Sequence, residues 1–86
     1  MEVKKLSEKE IDYEEELDTR GLFCPEPLLE LREFSETVEV GQCFKVMADD
    51  PAAEADFNKW AKRTGTEIVE FQKDEEDLIF FFRKKE

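Results

Sequence analysis

Eighty-six residues set the scale of one small domain with a single core. The composition is 40% hydrophobic and 43% charged, and eight phenylalanines that need burial argue against a disordered chain. A net charge of −11, from 13 basic and 24 acidic residues, repels phosphate backbones and argues against sequence-independent nucleic-acid binding, while suiting a protein partner with a basic patch.

Residues 1–13 are charged and weakly patterned, with Leu6, Ile11 and Tyr13 as isolated apolar positions. They read as an N-terminal extension, leaving residues 14–86 as the folded domain. No apolar run reaches membrane-spanning length, and Met1-Glu2-Val3-Lys4-Lys5 lacks the apolar segment of a signal peptide, so a cytoplasmic protein is expected. A first strand is expected around Glu14–Thr19, followed by the loop Arg20-Gly21-Leu22-Phe23.

Cys24-Pro25-Glu26-Pro27 then opens a helix expected from Pro25 to Glu36. Proline suits the first helical position, where its missing N–H costs nothing and its fixed φ is already helical. Leu28, Leu31 and Phe34 form the apolar stripe, with Glu30, Arg32 and Glu33 outward. This places Cys24 at or beside the N-cap, where the partial positive charge of the helix end favours a thiolate. Arg20 would add positive charge, whereas Glu26 opposes the thiolate. The two prolines remove two first-turn amides and leave those of Glu26 and Leu28 as stabilisers. The plain alternative for Cys24 is a small buried hydrophobe at a helix start.

Gly41 marks the turn into a strand, Gln42–Ala48, in which Phe44, Val46 and Ala48 make an apolar face and Cys43, Lys45 and Met47 a mixed one. Asp49-Asp50-Pro51 repeats the helix-start pattern, with Asp50 as N-cap and proline at the first position. The second helix, Pro51–Arg63, gathers Ala53, Phe57, Trp60 and Ala61 on one face and is capped by Gly65. Two strands follow, Thr66–Lys73 and Leu78–Lys84, joined by the acidic turn Asp74-Glu75-Glu76-Asp77 as an antiparallel hairpin. In the first of these Val69 and Phe71 alternate with Ile68; in the second Leu78, Phe80 and Phe82 alternate with Ile79 and Phe81. The order β-α-β-α-β-β makes an α+β fold, a two-layer α/β sandwich with both helices on one sheet face.

The chain has two cysteines, Cys24 and Cys43, and no histidine. That count leaves no four-ligand Cys/His zinc site and no histidine for acid–base work, and no Cys-x-x-Cys pair is present. Asp49, Asp50 and Asp56 admit a metal or acid–base reading, against which a helix cap is the simpler one. Cys43, in mid-strand, reads as packing. A dithiol redox role would need Cys24 and Cys43 within disulfide range.

At Leu17-Asp18-x-Arg20-Gly21-Leu22-x-Cys24-Pro25-x-Pro27-Leu28 the chain resembles the TusA/SirA-like sulfur-carrier family. The resemblance continues through Gly41, Ala48-Asp49-Asp50-Pro51-Ala52 and Asp56, and leaves residues 1–13 unmatched. It implies a fold like the C-terminal domain of translation initiation factor three, with a mixed four-stranded sheet in the order one-two-four-three. It further implies that Cys24 carries sulfur as a persulfide, loaded by a cysteine desulfurase or rhodanese-like donor and unloaded to an acceptor protein. Such relays serve transfer-RNA thiolation, cofactor synthesis or sulfur metabolism. Arg20, Pro25, Glu26 and Pro27 would support the sulfur, and Asp49 and Asp50 would border it. No cofactor, metal or membrane is expected to take part, and a monomer is expected. The competing reading is a non-catalytic regulatory or interaction module of the same fold.

Overall fold

The structure, a computed structural model, describes residues 12–85 and contains the six expected elements in the expected order. They are β1 (Glu15–Asp18), α1 (Glu26–Thr37), β2 (Cys43–Ala48), α2 (Ala52–Thr64), β3 (Glu67–Asp74) and β4 (Asp77–Arg83). One four-stranded sheet has the order β1-β2-β4-β3. β1 runs parallel to β2, and β4 antiparallel to both β2 and β3. This is the mixed sheet that the resemblance implied. Residues 1–11 of the expected extension lie outside the described residues.

Both helices pack on one side of the sheet. Leu31 of α1 and Ala53, Phe57, Trp60 and Ala61 of α2 meet Phe44, Val46 and Ala48 of β2 and Leu78, Phe80 and Phe82 of β4. Leu28, Phe34, Ile68 and Phe71 close the margins. The apolar stripes of both helices and the alternation in β2 and β4 thus fall where their periods predict. Burying each phenylalanine removes enough apolar area to stabilise the fold by roughly 2–3 kcal/mol. Lys84 satisfies the end of α1, its ammonium donating to the carbonyls of Ser35 at 2.8 Å and Val38 at 2.9 Å, which matches cation to negative helix end. Gly65 caps α2 at φ 77°, a conformation that costs glycine nothing.

One expectation about the sheet faces is corrected. Simple alternation put Ile68 opposite Phe71, but the β3–β4 register shifts between Ile68 and Glu70. The extra residue, Val69, turns the strand so that Ile68 and Phe71 both reach the core, as a bulge does. The mixed face of β2 is also less open than its composition suggests. Cys43 is 2% exposed and Met47 8%, and Phe81 of β4 on the same face is fully buried. Tyr13 lays its ring 5.6 Å from that of Phe81, and the Lys45 ammonium stands 5.6 Å from the Tyr13 ring and 5.9 Å from that of Phe81. An aliphatic stem carrying a solvated charge suits such a cover.

The hairpin turn between β3 and β4 consists of Glu75 and Glu76, since Asp74 still pairs with Asp77. Glu75 takes φ 58°, a left-handed conformation that costs a side-chain-bearing residue about 1 kcal/mol. Glu75→Gly is expected to stabilise the protein by about 0.5–1 kcal/mol, glycine's extra chain entropy offsetting part of the gain. Urea unfolding monitored by circular dichroism would check it; an unchanged or lower midpoint would remove the strain argument.

Candidate functional site around Cys24

Parallel pairing of β1 with β2 brings their C-terminal ends together, Asp18 opposite Met47. Loops leaving the two ends therefore meet, and open α/β sheets place their sites at such ends. Buried Thr19 anchors the first loop: its amide and its hydroxyl both donate to the Met47 carbonyl, at 2.8 and 2.7 Å. The chain then turns at Gly21, whose φ of 91° suits glycine. The second loop holds the first with carboxylates. Asp49 Oδ1 accepts the Gly21 amide at 3.0 Å, and Asp50 Oδ2 accepts the Cys24 amide at 2.6 Å. The other oxygen of Asp50 accepts the Ala52 amide at 3.2 Å. Asp50 thus ties the cysteine loop to the first residue of α2.

Both helices begin one residue later than the proline rule indicated. Pro25 and Pro51 are the cap residues, and α1 and α2 start at Glu26 and Ala52. Turn hydrogen bonds account for this: the Glu26 amide donates to the Phe23 carbonyl at 2.8 Å and the Ala53 amide to the Asp50 carbonyl at 2.8 Å. The Cys24–Pro25 peptide bond is cis. With Pro25 as the cap of α1, Cys24 stands one residue outside it and is exposed. The Glu26 amide, expected as a sulfur stabiliser, is already engaged.

The electrostatics at the sulfur run against the helix-end argument. Cys24 Sγ lies 3.8 Å from Asp56 Oδ2 on the first turns of α2. Desolvation, the negative charges of Asp56 and Asp50, and the hydrogen bond to Asp56 all push the thiol pKa up. A helix N-terminus offers a fraction of a positive charge; here full negative charges face the sulfur. Arg20 does not redress the balance. Its guanidinium donates to Asp18 at 3.0 and 2.9 Å and to Asp77 at 3.1 Å. Hydrogen bonds to Asp18 and then Asp77 raise the Arg20 pKa, and the Arg20 side chain and its backbone amide, both donating to Asp18, lower that of Asp18. Arg20 thus straps the end of β1 to the start of β4.

Glu26 and Pro25 are exposed beside the cysteine, while Pro27 is buried. Cys43 is unpaired and buried, and burial is the main cause raising its pKa. It opens β2 at Cys43, whereas the Asp49–Asp50 corner follows Ala48 at the other end. At strand rise the two ends are about 16 Å apart, beyond disulfide reach. Among the described residues no group of three or more His, Cys, Asp or Glu is arranged to hold a metal ion. Asp49 and Asp50 instead serve as acceptors for loop amides.

Two features of this corner were not assigned from sequence. In the sequence Asp56 reads with Asp49 and Asp50, and only the packing of α2 against the cysteine loop reveals its approach to the sulfur. Phe23, in the loop next to Cys24, is 71% exposed, which corrects the expectation that the phenylalanines are buried.

The family described as Sulfurtransferase TusA matches residues 15–84. The chain belongs to this TusA family. An Archaeoglobus fulgidus protein is 44% identical over 69 residues, spanning 80% of this chain and 90% of its own length. The sulfur carrier protein TusA of Allochromatium vinosum is 39% identical over 74 residues, 86% of this chain and 96% of its own. The sulfur carrier protein TusA of Pseudomonas syringae is 39% identical over 70 residues, 81% of this chain and 83% of its own. The TusA match covers both strands, both loops and both helix starts that build the cysteine corner.

Proposed function

We propose that this TusA-family chain is a sulfur carrier that holds a persulfide on Cys24. The observation that carries the reading is an exposed, unpaired cysteine held by its own backbone amide to Asp50, within the span matched by the family. A carrier needs a sulfur that partners can reach and a fixed backbone from which it projects. Cys24 meets both requirements, and Pro25 and Pro27 stiffen the segment that follows. The other cysteine is buried, so one thiol serves a relay without an internal disulfide competing.

The donor is a cysteine desulfurase or rhodanese-like protein bearing a persulfide, and the acceptor a protein of a thiolation, cofactor or sulfur-metabolic route. Charge supports basic contact surfaces on both. A depression of about 460 Å³ beside the corner is lined by Asp49, Glu54, Glu75 and Glu76, with Lys73 opposing them. Phe23 adds an apolar contact beside the sulfur. The raised thiol pKa favours the rival reading, a non-catalytic interaction module, which predicts partner binding without sulfur uptake.

Incubation with a cysteine desulfurase and L-cysteine separates the two. The expected result is a gain of one sulfur atom in intact-mass spectra, reversed by a thiol reductant and mapped to the Cys24 peptide. No gain, or a gain mapped to Cys43, would overturn the proposal.

A further inference from the structure

The sulfur of Cys24 is faced by carboxylates from two sides. Asp56 on α2 brings Oδ2 to 3.8 Å from Sγ, within reach of an S–H donor. Asp50, in the loop after β2, binds the Cys24 amide and also acts on the sulfur through its charge. On the cysteine's own side α1 contributes Glu26, exposed in its first turn. The arginine of the preceding loop, Arg20, is turned to Asp18 and Asp77. Among the described residues, the charges acting on Cys24 are negative. A nucleophile built for unaided reactivity is normally surrounded by the opposite sign.

We propose that Asp56 is a positioning residue for sulfur transfer, holding Cys24 as a thiol in the free protein and letting that proton go when a partner lays a lysine or arginine against the Asp50–Asp56 pair. The inference rests on the sulfur-carrier reading above. In the loading step Cys24 Sγ attacks the outer sulfur of the donor persulfide, R–S–SH. A bond forms between Sγ and that sulfur, the donor S–S bond breaks, and the donor leaves as a thiolate. The proton released from Cys24 ends on that thiolate. Cys24–SH and R–S–SH thus become Cys24–S–SH and R–SH, with no net oxidation. A cation docked on the two carboxylates cancels the field that keeps the proton on sulfur. Until then the carrier travels as a thiol, the form that resists oxidation and stray alkylation. The acidic depression next to the corner makes the same demand on the partner's charge.

The test compares the native protein with Asp56→Asn and Asp56→Glu, whose folding is verified by circular dichroism. Alkylation by iodoacetamide is followed across pH at the Cys24 peptide, so that buried Cys43 does not contribute. A unit charge ~4 Å away through water changes the thiolate population about fivefold, and the weaker nucleophilicity of a less basic thiolate returns part of that. Asp56→Asn is therefore expected to alkylate roughly two- to threefold faster at neutral pH, with its profile moved to lower pH. Asp56→Glu is expected to keep the native profile. A second measurement follows sulfur loading by a cysteine desulfurase with L-cysteine as potassium chloride is raised. Native loading should slow steeply with salt and Asp56→Asn loading less so. Superimposable alkylation profiles would overturn the proton-holding role, and equal salt slopes would overturn the cationic contact. If the native protein takes up no sulfur while Asp56→Asn still shifts alkylation, the sulfur-carrier reading falls and the held thiol stands.

Discussion

Replacing Cys24 by serine is expected to abolish sulfur uptake from a loaded donor, while Cys43→Ala leaves uptake within about twofold of native. Serine keeps the backbone amide that donates to Asp50 at 2.6 Å, so the loop geometry that presents position 24 persists. The side chain is exposed, and its exchange disturbs no core contact. Only the sulfur is lost, and an alcohol forms no persulfide. Cys43 differs in every respect: it is 2% exposed and opens β2 at the end of the strand remote from the Asp49–Asp50 corner. Trimming it to alanine leaves a small void and costs stability on the order of 1 kcal/mol. Intact-mass spectra after treatment with a cysteine desulfurase and L-cysteine decide the matter. Uptake by Cys24→Ser equal to native would remove Cys24 from the relay, and loss in a folded Cys43→Ala would make the second thiol a participant.

The architecture was legible in the sequence because its signals are local. Leu28, Leu31 and Phe34 repeat at helical spacing, Phe80 and Phe82 at strand spacing, and Gly65 ends α2 as a left-handed cap. The bulge at Val69 escaped because alternation alone carries no mark of an inserted residue; the β4 partner strand decides the register. At the site, Cys24 stood out through the prolines around it, and Asp49 and Asp50 through their place ahead of α2. Their hydrogen bonds to Gly21 and Cys24 did not, because these contacts join residues 26 and 28 positions apart. The same holds for the sign of the field at the sulfur. A helix start in the sequence suggested a lowered thiol pKa, but desolvation, and then the charge of Asp56 reaching Cys24 across 32 positions, raise it. Arg20 looked like a counter-charge by proximity along the chain, yet Asp77, 57 positions away, shares it with Asp18. Long-range carboxylates, which no local pattern announces, set the chemistry of this corner.

Phe82→Ala is expected to be the most damaging single change to stability, about 3–5 kcal/mol. Phe82 is fully buried on β4, inside the cluster that joins both helices to the sheet, and α2 packs its rings against it. Its ring centroid lies 5.5 Å from Phe44, 5.3 Å from Phe80, 5.5 Å from Trp60 and 6.3 Å from Phe57. Truncation removes transfer free energy and leaves a cavity that four rigid aromatic neighbours cannot collapse to fill. A domain of this size is stable by roughly 4–13 kcal/mol, so the loss takes a large share of the total. Phe82→Leu, which keeps most of the volume, should cost clearly less. Phe23→Ala serves as the control: at 71% exposure it should stay within about 0.5 kcal/mol of native. Urea unfolding followed by circular dichroism checks all three, and a loss below about 1 kcal/mol for Phe82→Ala would show that the aromatic cluster repacks. Because Asp77 and Leu78 begin the same strand, and Asp77 holds Arg20 at 3.1 Å, a loosened β4 also frees the strap beside the cysteine loop. Sulfur uptake by Phe82→Ala should therefore decline at temperatures where the native protein is unaffected, with the decline tracking the unfolded fraction.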